Sequence, residues 1–208
     1  MTTYYVIPAR KGSRGFPNKN RKLFNDTFSK IPVKLHDKVI ITTDDDYIID
    51  LVKDTSVKVV KRSSELSGDK VSIKPVLQDV VKQVGLNDDD IIILLYLTYP
   101  ERTWKQINLC KSFMLEMNGR SLLCGQDVKS HPHLCLYKSG FRGRQVIKHD
   151  LYRRQDYPEV FELSHYVGVC YVSELSNLNY NLYNDSTIYY HLNVRVIDVD
   201  YESDLATE

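Results

Sequence analysis

Residues Tyr4-Tyr5-Val6-Ile7-Pro8-Ala9-Arg10-Lys11-Gly12-Ser13-Arg14-Gly15-Phe16-Pro17-Asn18-Lys19-Asn20 open on an apolar, β-favouring run that breaks at Pro8. A glycine-bearing loop follows, carrying Arg10, Lys11, Arg14 and Lys19 and continued by Arg21 and Lys22. A short buried strand feeding such a loop brings backbone amides and cations together at the carboxyl edge of a sheet. Polyanions, above all phosphates, suit that arrangement. The spacing is neither the G-x-x-x-x-G-K-[ST] of a P-loop nor the G-x-G-x-x-G of a dinucleotide fold. On the loop alone, a solvated basic turn explains the residues equally well.

Residues 38–42 and 57–60 read as further short strands. Residues 91–97 form an apolar run without polar alternation, which suits a central strand covered on both faces. Between them, Thr43-Asp44-Asp45-Asp46 starts a helix with Asp44 as its cap, and Ile48, Leu51 and Val52 follow at helical spacing. Ser72 opens another helix whose Ile73, Val76, Leu77, Val80, Val81 and Val84 share one face. Thr103 with Gln106 makes a T-x-x-Q capping box, and the helix after it buries Ile107, Cys110, Met114 and Met117 before stopping at Asn118-Gly119. Residues 23–36 show no clear periodicity, and Pro32 breaks any helix there.

Strands alternating with helices predict an α/β fold: three layers, α/β/α, around a mostly parallel central sheet. Residues 121–125 supply another strand, residues 134–147 a β-hairpin turning at Lys138-Ser139-Gly140, and residues 187–192 a late strand. The last stretch alternates so that Asp198 and Asp200 share a face. Two carboxylates so placed repel unless a cation lies between them, and Mg²⁺ takes one or two carboxylates together with phosphate oxygens. An acidic strand-to-helix turn with ordinary caps explains the same residues.

With 208 residues the chain is large enough for one domain with a proper core. A net charge of +1 argues against a general nucleic-acid binder. No stretch is long and apolar enough to span a membrane, and the N-terminus lacks a signal-peptide pattern. Cys110, Cys124, Cys135 and Cys170 contain no C-x-x-C pair and read as reduced thiols of a cytoplasmic protein. His131-Pro132-His133 lacks an acidic or thiol partner at ligand spacing, so no metal is assigned to it.

Several short motifs fall in a fixed order. They are Pro8-Ala9-Arg10, Gly12-Ser13, Lys19-Asn20, Thr42-Thr43-Asp44 and Arg62-x-x-Glu65-Leu66-x-x-Asp69. After these come Thr98-x-Pro100-x-Arg102, Arg154-Gln155-x-x-Pro158, Gly168-x-x-Tyr171 and Ile197-Asp198-Val199-Asp200 followed by Asp204-Leu205. Together they resemble the acylneuraminate cytidylyltransferases, the CMP-sialic acid synthetases, over nearly the whole chain.

The resemblance implies a Rossmann-like fold of the nucleotide-diphospho-sugar transferase type, with residues 1–208 as a single domain. It implies an inserted subregion at about 131–190 for acceptor binding and dimerisation, with the polar stretch 175–185 reaching across a homodimer. The implied reaction moves CMP from CTP to a hydroxyl of an acidic sugar, sialic acid or a related nonulosonic acid, and releases pyrophosphate. Ala9, Arg10, Gly12, Ser13, Lys19, Asn20 and Arg62 would bind the nucleotide, and Arg10, Lys19, Asp198 and Asp200 would be catalytic. Asp198 and Asp200 would hold Mg²⁺, while Arg154, Gln155 and Tyr171 would face the acceptor.

The chain departs from the family pattern near the acceptor. Tyr96 stands for a Gln, Leu97 for a Pro, Tyr99 for a Ser, Leu134 for a Lys and Val167 for an Asn. The interval before the second strand looks trimmed. Two other readings stay open: a related nucleotidyltransferase with a different acceptor, and a nucleotide- or sugar-nucleotide-binding protein without turnover. All depend on the basic loop and the two aspartates sharing one cleft.

Overall fold

Alternate residues of the first strand enter different cores. In the computed structural model, which describes residues 1–13 and 15–206, β1 (Thr3–Pro8) sends Tyr5 and Ile7 into one apolar cluster and Val6 into another. β2 (Val39–Thr43) divides Val39 and Ile41 from Ile40, and β4 (Ile91–Leu94) divides Ile91 and Ile93 from Ile92 and Leu94. Both faces of these strands are therefore covered, which is why their sequences are apolar without a break.

The first cluster is closed by Leu23 and Phe24 of α1 (Lys19–Phe28), Ile48 and Val52 of α2 (Asp46–Val52), and Ile107, Cys110 and Met114 of α4 (Trp104–Glu116). The second is closed by Leu77 and Val80 of α3 (Ile73–Val84) and by Leu175, Leu178 and Leu182. This is the three-layer α/β/α arrangement predicted above. α4 starts with the predicted reciprocal Thr103–Gln106 capping box.

The remaining strands are β3 (Lys58–Lys61), β5 (Ser121–Asp127), β8 (Phe161–Tyr171) and β9 (Ile188–His191), with β6 (Leu136–Ser139) and β7 (Arg142–Gln145) forming a separate hairpin. The main sheet has seven strands in the order β3-β2-β1-β4-β8-β5-β9. Its pairs are parallel except where β8 runs antiparallel to β4 and β5. The chain fills one side of β1 with β2 and β3, then crosses to the other side for β4. That reversal opens a crevice at the carboxyl ends of β1 and β4, the usual place for a ligand in an open α/β sheet.

Three readings of the sequence are corrected. First, the interval after Lys19 does hold a full helix, α1, with Leu23, Phe24 and Thr27 buried, and a 3₁₀ turn at Val33–Lys38 follows Pro32. Second, Asp45 caps α2 by accepting from the Tyr47 N–H, whereas Asp44 turns to the basic loop. Third, among the described residues the stretch 193–201 joins no ladder. It is held by single bonds, such as Val199 N–H to Thr98 O at 2.9 Å, and leads to a 3₁₀ turn at Glu202–Ala206. The stretch 175–185, expected to reach across a homodimer, packs Leu175, Leu178 and Leu182 onto the chain's own core, and Lys74 Nζ donates to the carbonyls of Ser176 and Leu178. Among the described residues, no helix is long and apolar enough to cross a membrane.

Candidate active site

The loop after β1 is pinned from both sides. On the β2 side, Ala9 N–H donates to Thr42 O at 2.9 Å, Thr43 Oγ1 donates to Ala9 O, and Lys11 N–H donates to Asp44 Oδ1 at 2.6 Å. On the α1 side, Asn20 Nδ2 donates to Arg10 O at 2.8 Å. Gly12 takes a left-handed φ of 76°, a conformation glycine adopts at little cost. Arg14 lies outside the described residues.

The loop, the first turn of α1 and the ends of β3 and β4 enclose a cavity of about 450 Å³. Of the predicted nucleotide residues, Arg10, Gly12, Ser13, Lys19, Asn20 and Arg62 line it, and Ala9 is fully buried at the base of the loop. One wall is apolar, made by Val71, Ile73 and Val76. The mixture of an apolar wall with convergent donors is what a small polar ligand with a flat ring requires.

Asp200 closes the cavity from the far end of the sequence. Lys19 Nζ donates to Asp200 Oδ1 and to Val199 O, each at 2.9 Å, and Lys22 Nζ meets Glu202 at 2.8 Å. Thus the basic loop and one of the two aspartates do meet across one cleft. Asp198 is on the next outward turn of the same segment, separated by the buried Val199, and accepts from Tyr99 Oη at 3.2 Å.

Charge in the cleft is only partly balanced. Arg10 pairs with Asp69 at 2.5 Å. Arg62 is buried with Nε donating to Thr42 Oγ1 at 3.1 Å, and burial, reinforced by Arg10 and opposed by Asp44, pushes its pKa down to about 10. It nevertheless stays cationic near neutrality, a desolvated guanidinium facing the cavity. Tyr96 lines the cavity too, its phenol held protonated by burial and by the nearby Asp198 carboxylate.

The predicted acceptor residues are not gathered here. Arg154 and Gln155 sit exposed on a 3₁₀ turn of the insertion, Arg154–Asp156, where the neighbouring Arg153 pairs with Asp156. Tyr171 is corrected outright. Because β8 runs antiparallel to β4, with Ile91 opposite Tyr171 and Leu94 opposite Gly168, Tyr171 falls at the amino edge of the sheet. Its ring stacks with Arg120 at 4.6 Å, and its hydroxyl points to Met1. The residues of β8 that reach the site edge come earlier in the strand, around His165 and Tyr166.

Arg102, a motif residue, is structural. It is 2% exposed and donates to Tyr166 O at 2.5 Å and Tyr96 O at 2.7 Å, so it fastens the segment after β4 to β8. Its position in a Thr-x-Pro-x-Arg motif carried no sign of burial.

The sequence matches the family described as "Cytidylyltransferase" over residues 4–107, from β1 into α4. The chain belongs to that family. Among its relatives is the N-acylneuraminate cytidylyltransferase of Streptococcus agalactiae serotype V, 27% identical over 167 residues, 75% of this chain and 40% of that protein. Another is the 8-amino-3,8-dideoxy-manno-octulosonate cytidylyltransferase of Shewanella frigidimarina, 33% identical over 102 residues, 46% of this chain and 40% of that one. The chain therefore spans about 40% of the length of these relatives.

The fold is shared more widely than the sequence. A CMP:2-keto-3-deoxy-manno-octonic acid synthetase solved with CTP superposes with a TM-score of 0.66 at 13% identity, covering 99% of this chain and 96% of that one. The 2-C-methyl-D-erythritol 4-phosphate cytidylyltransferase of Francisella tularensis gives 0.63 at 11% identity, covering 99% and 97%. At such identities the likeness is one of fold.

Proposed function

We propose that this cytidylyltransferase-family chain transfers CMP from CTP to a hydroxyl of an acidic sugar. The hydroxyl oxygen attacks the α-phosphorus, the bond to the β-phosphate breaks, pyrophosphate leaves and the hydroxyl proton passes to water. The observation that carries this reading is the convergence of the β1 loop with Lys19 and Asp200 on one cavity.

Positioning and charge stabilisation are the main demands of such a displacement. The amides around Gly12 and Ser13, with Arg10 and Lys19, receive the triphosphate. The apolar wall of Val71, Ile73 and Val76 takes the pyrimidine ring, and Arg62 with Asn20 fixes the nucleoside. Lys19 is held toward the phosphates by Asp200 and Val199 O, so its ammonium needs no reorganisation when the ligand arrives.

Asp198 and Asp200 suit Mg²⁺. Tyr99 occupies one oxygen of Asp198 and Lys19 one of Asp200, while the other oxygens accept no hydrogen bond among the described residues. Hard carboxylate oxygens on an exposed segment, beside a phosphate cavity, are the donor set this ion takes. When bound, the ion neutralises phosphate charge and makes the attacking hydroxyl more acidic.

The acceptor is proposed as sialic acid or a related nonulosonic acid. A shorter 3-deoxy-octulosonic acid is the second reading, favoured by the Shewanella relative. The insertion leaves Leu136, Tyr137, Phe141 and Tyr152 exposed, an apolar surface in keeping with a homodimer built on it.

Pyrophosphate release tests the reading directly: CTP with N-acetylneuraminate or 3-deoxy-manno-octulosonate, with and without Mg²⁺. Release with one sugar, dependent on Mg²⁺, is expected. CTP binding without release from any sugar would replace the reading with a nucleotide-binding role.

A further inference from the structure

We propose that Asp69 sets how tightly the cavity holds polyphosphates. It is a positioning residue that competes with phosphate oxygens for Arg10 and takes the guanidinium back when pyrophosphate leaves. The inference rests on the transfer reading above and deepens it, naming the residue that tunes affinity at the phosphate end of that site.

Asp69 is brought to the cavity by the segment between the 3₁₀ turn Ser64–Leu66 and α3. There Val71 N–H closes a turn onto Gly68 O at 3.1 Å, so Asp69 sits inside the turn and Val71 continues into the apolar wall. On the loop after β1, Arg10 has its backbone carbonyl held by Asn20 Nδ2 at 2.8 Å. Its Nη1 donates to Asp69 Oδ1 at 2.5 Å, joining residues 59 positions apart. Both side chains line the cavity.

The form of this pair separates it from a clasp. Arg21 holds Asp45 with two bonds, at 2.7 and 2.8 Å, and the Asp45 side chain is 3% exposed. Arg10 gives Asp69 one nitrogen, and the two side chains are 32% and 34% exposed. A singly bonded, solvated pair is weak and yields to a stronger partner. Phosphate is such a partner, because its several charged oxygens match the planar guanidinium fork.

Among the described residues, the carboxylates that line the cavity are Asp69 and Asp200, and each holds a cation assigned to the triphosphate. Asp200 is proposed to share Mg²⁺ with the phosphates, which turns repulsion into attraction. Asp69 stands on a different segment, from which its charge opposes the ligand. That opposition serves turnover. Pyrophosphate carries the charge away from the site, and a carboxylate that reclaims Arg10 eases its departure.

Asp69→Asn removes the charge and keeps the shape. Calorimetry with CTP, pyrophosphate and cytidine is run on the wild type, Asp69→Asn, Arg10→Gln and the double variant. Pyrophosphate release is followed with N-acetylneuraminate and 3-deoxy-manno-octulosonate. Asp69→Asn is expected to lower the Kd of CTP and of pyrophosphate, and the inhibition constant of pyrophosphate, about threefold to fivefold, the worth of an exposed ion pair. Cytidine, which lacks phosphate, should keep its Kd within about twofold. In the Arg10→Gln background the same substitution is expected to change nothing. CTP and pyrophosphate affinities that stay the same or fall in Asp69→Asn would overturn the inference alone. So would a gain that persists without Arg10, or a parallel shift of cytidine. Wild-type protein that binds CTP and pyrophosphate but turns over neither sugar would overturn the transfer reading, while the same affinities still decide the role of Asp69. Should Asp69→Asn fail to fold, Asp69→Ser is judged by those affinities.

Discussion

Lys19 and Asp200, 181 positions apart in the chain, meet at 2.9 Å on the rim of the cavity. The contact joins the first turn of α1 to the segment after β9, so that a cation and a carboxylate face the same enclosed space. As stabilisation it is minor: Asp200 is 69% exposed, and exposed pairs contribute about 0–1 kcal/mol. Its consequence is functional. Asp200→Ala is expected to lower turnover by about 10²–10³-fold, the usual effect of removing one electrostatic group from an active site. The unfolding free energy should change by less than about 1 kcal/mol. A pyrophosphate assay beside a denaturation curve decides it, and near-normal turnover would remove Asp200 from the chemistry.

Gly15 is the second point where the loop depends on that segment. A Cβ at Gly15 would lie 2.9 Å from Asp200 O and 3.1 Å from the Tyr201 ring. The nearer neighbour is backbone and cannot swing aside, so the segment carrying Asp200 must shift. Gly15→Ala is expected to cut turnover by about 10–100-fold through misplacement alone. Melting should be little changed, because the segment joins no ladder. Wild-type turnover in this variant would show that the segment tolerates displacement.

Much of the architecture could be read from the chain. Unbroken apolar runs such as Ile91-Ile92-Ile93-Leu94 announce strands covered twice, and the Thr103–Gln106 box marks the start of α4. The helix α1 was missed because its sequence, with Asn20, Asn25, Asp26 and Thr27, has poor intrinsic propensity and only a narrow buried face. Packing against the sheet holds it. Tyr171 was misplaced for a different reason. A single strand does not disclose its direction, and an antiparallel β8 exchanges which end meets the site.

Asp45 couples the loop to acid stability. It caps α2 by accepting from Tyr47 N–H at 3.1 Å, and it takes both Nε and Nη2 of Arg21 at 2.7 and 2.8 Å. The bond from Arg21 holds its carboxyl below the ordinary value, with burial opposing and the Tyr47 amide adding. Because the folded pKa lies below the unfolded one, the stabilisation is complete above the unfolded value, about 4, and is lost as pH falls through the folded value. Asp45→Asn is expected to reduce stability by about 1–3 kcal/mol at neutral pH and to flatten the acid limb of the stability profile. Chemical denaturation from pH 7 to pH 3 measures both, and an unchanged acid limb would mean that other carboxylates govern acid unfolding.

Arg102 is the last test, because it separates a structural arginine from the site arginines beside it. Its guanidinium is almost completely buried, and burial pushes its pKa down to about 10, against the pull of Tyr166 and Glu101. Among the described residues, no carboxylate forms a hydrogen bond or ion pair with it. Its fork instead closes onto the carbonyls of Tyr96 and Tyr166 and onto Thr27 Oγ1 at 3.4 Å, joining α1, β8 and the segment after β4. Lysine keeps the charge but cannot span those carbonyls, so Arg102→Lys should lose stability along with Arg102→Met. In the methionine variant the carbonyls lose their donor inside the core, and the expected loss is about 2–4 kcal/mol. Urea midpoints should fall in both variants. CTP affinity, compared at urea-free conditions where the variants remain folded, should fall far less than in Arg62→Ala, whose side chain lines the cavity. A methionine variant as stable as the parent would show that the fork is replaceable and that Arg102 has a different role.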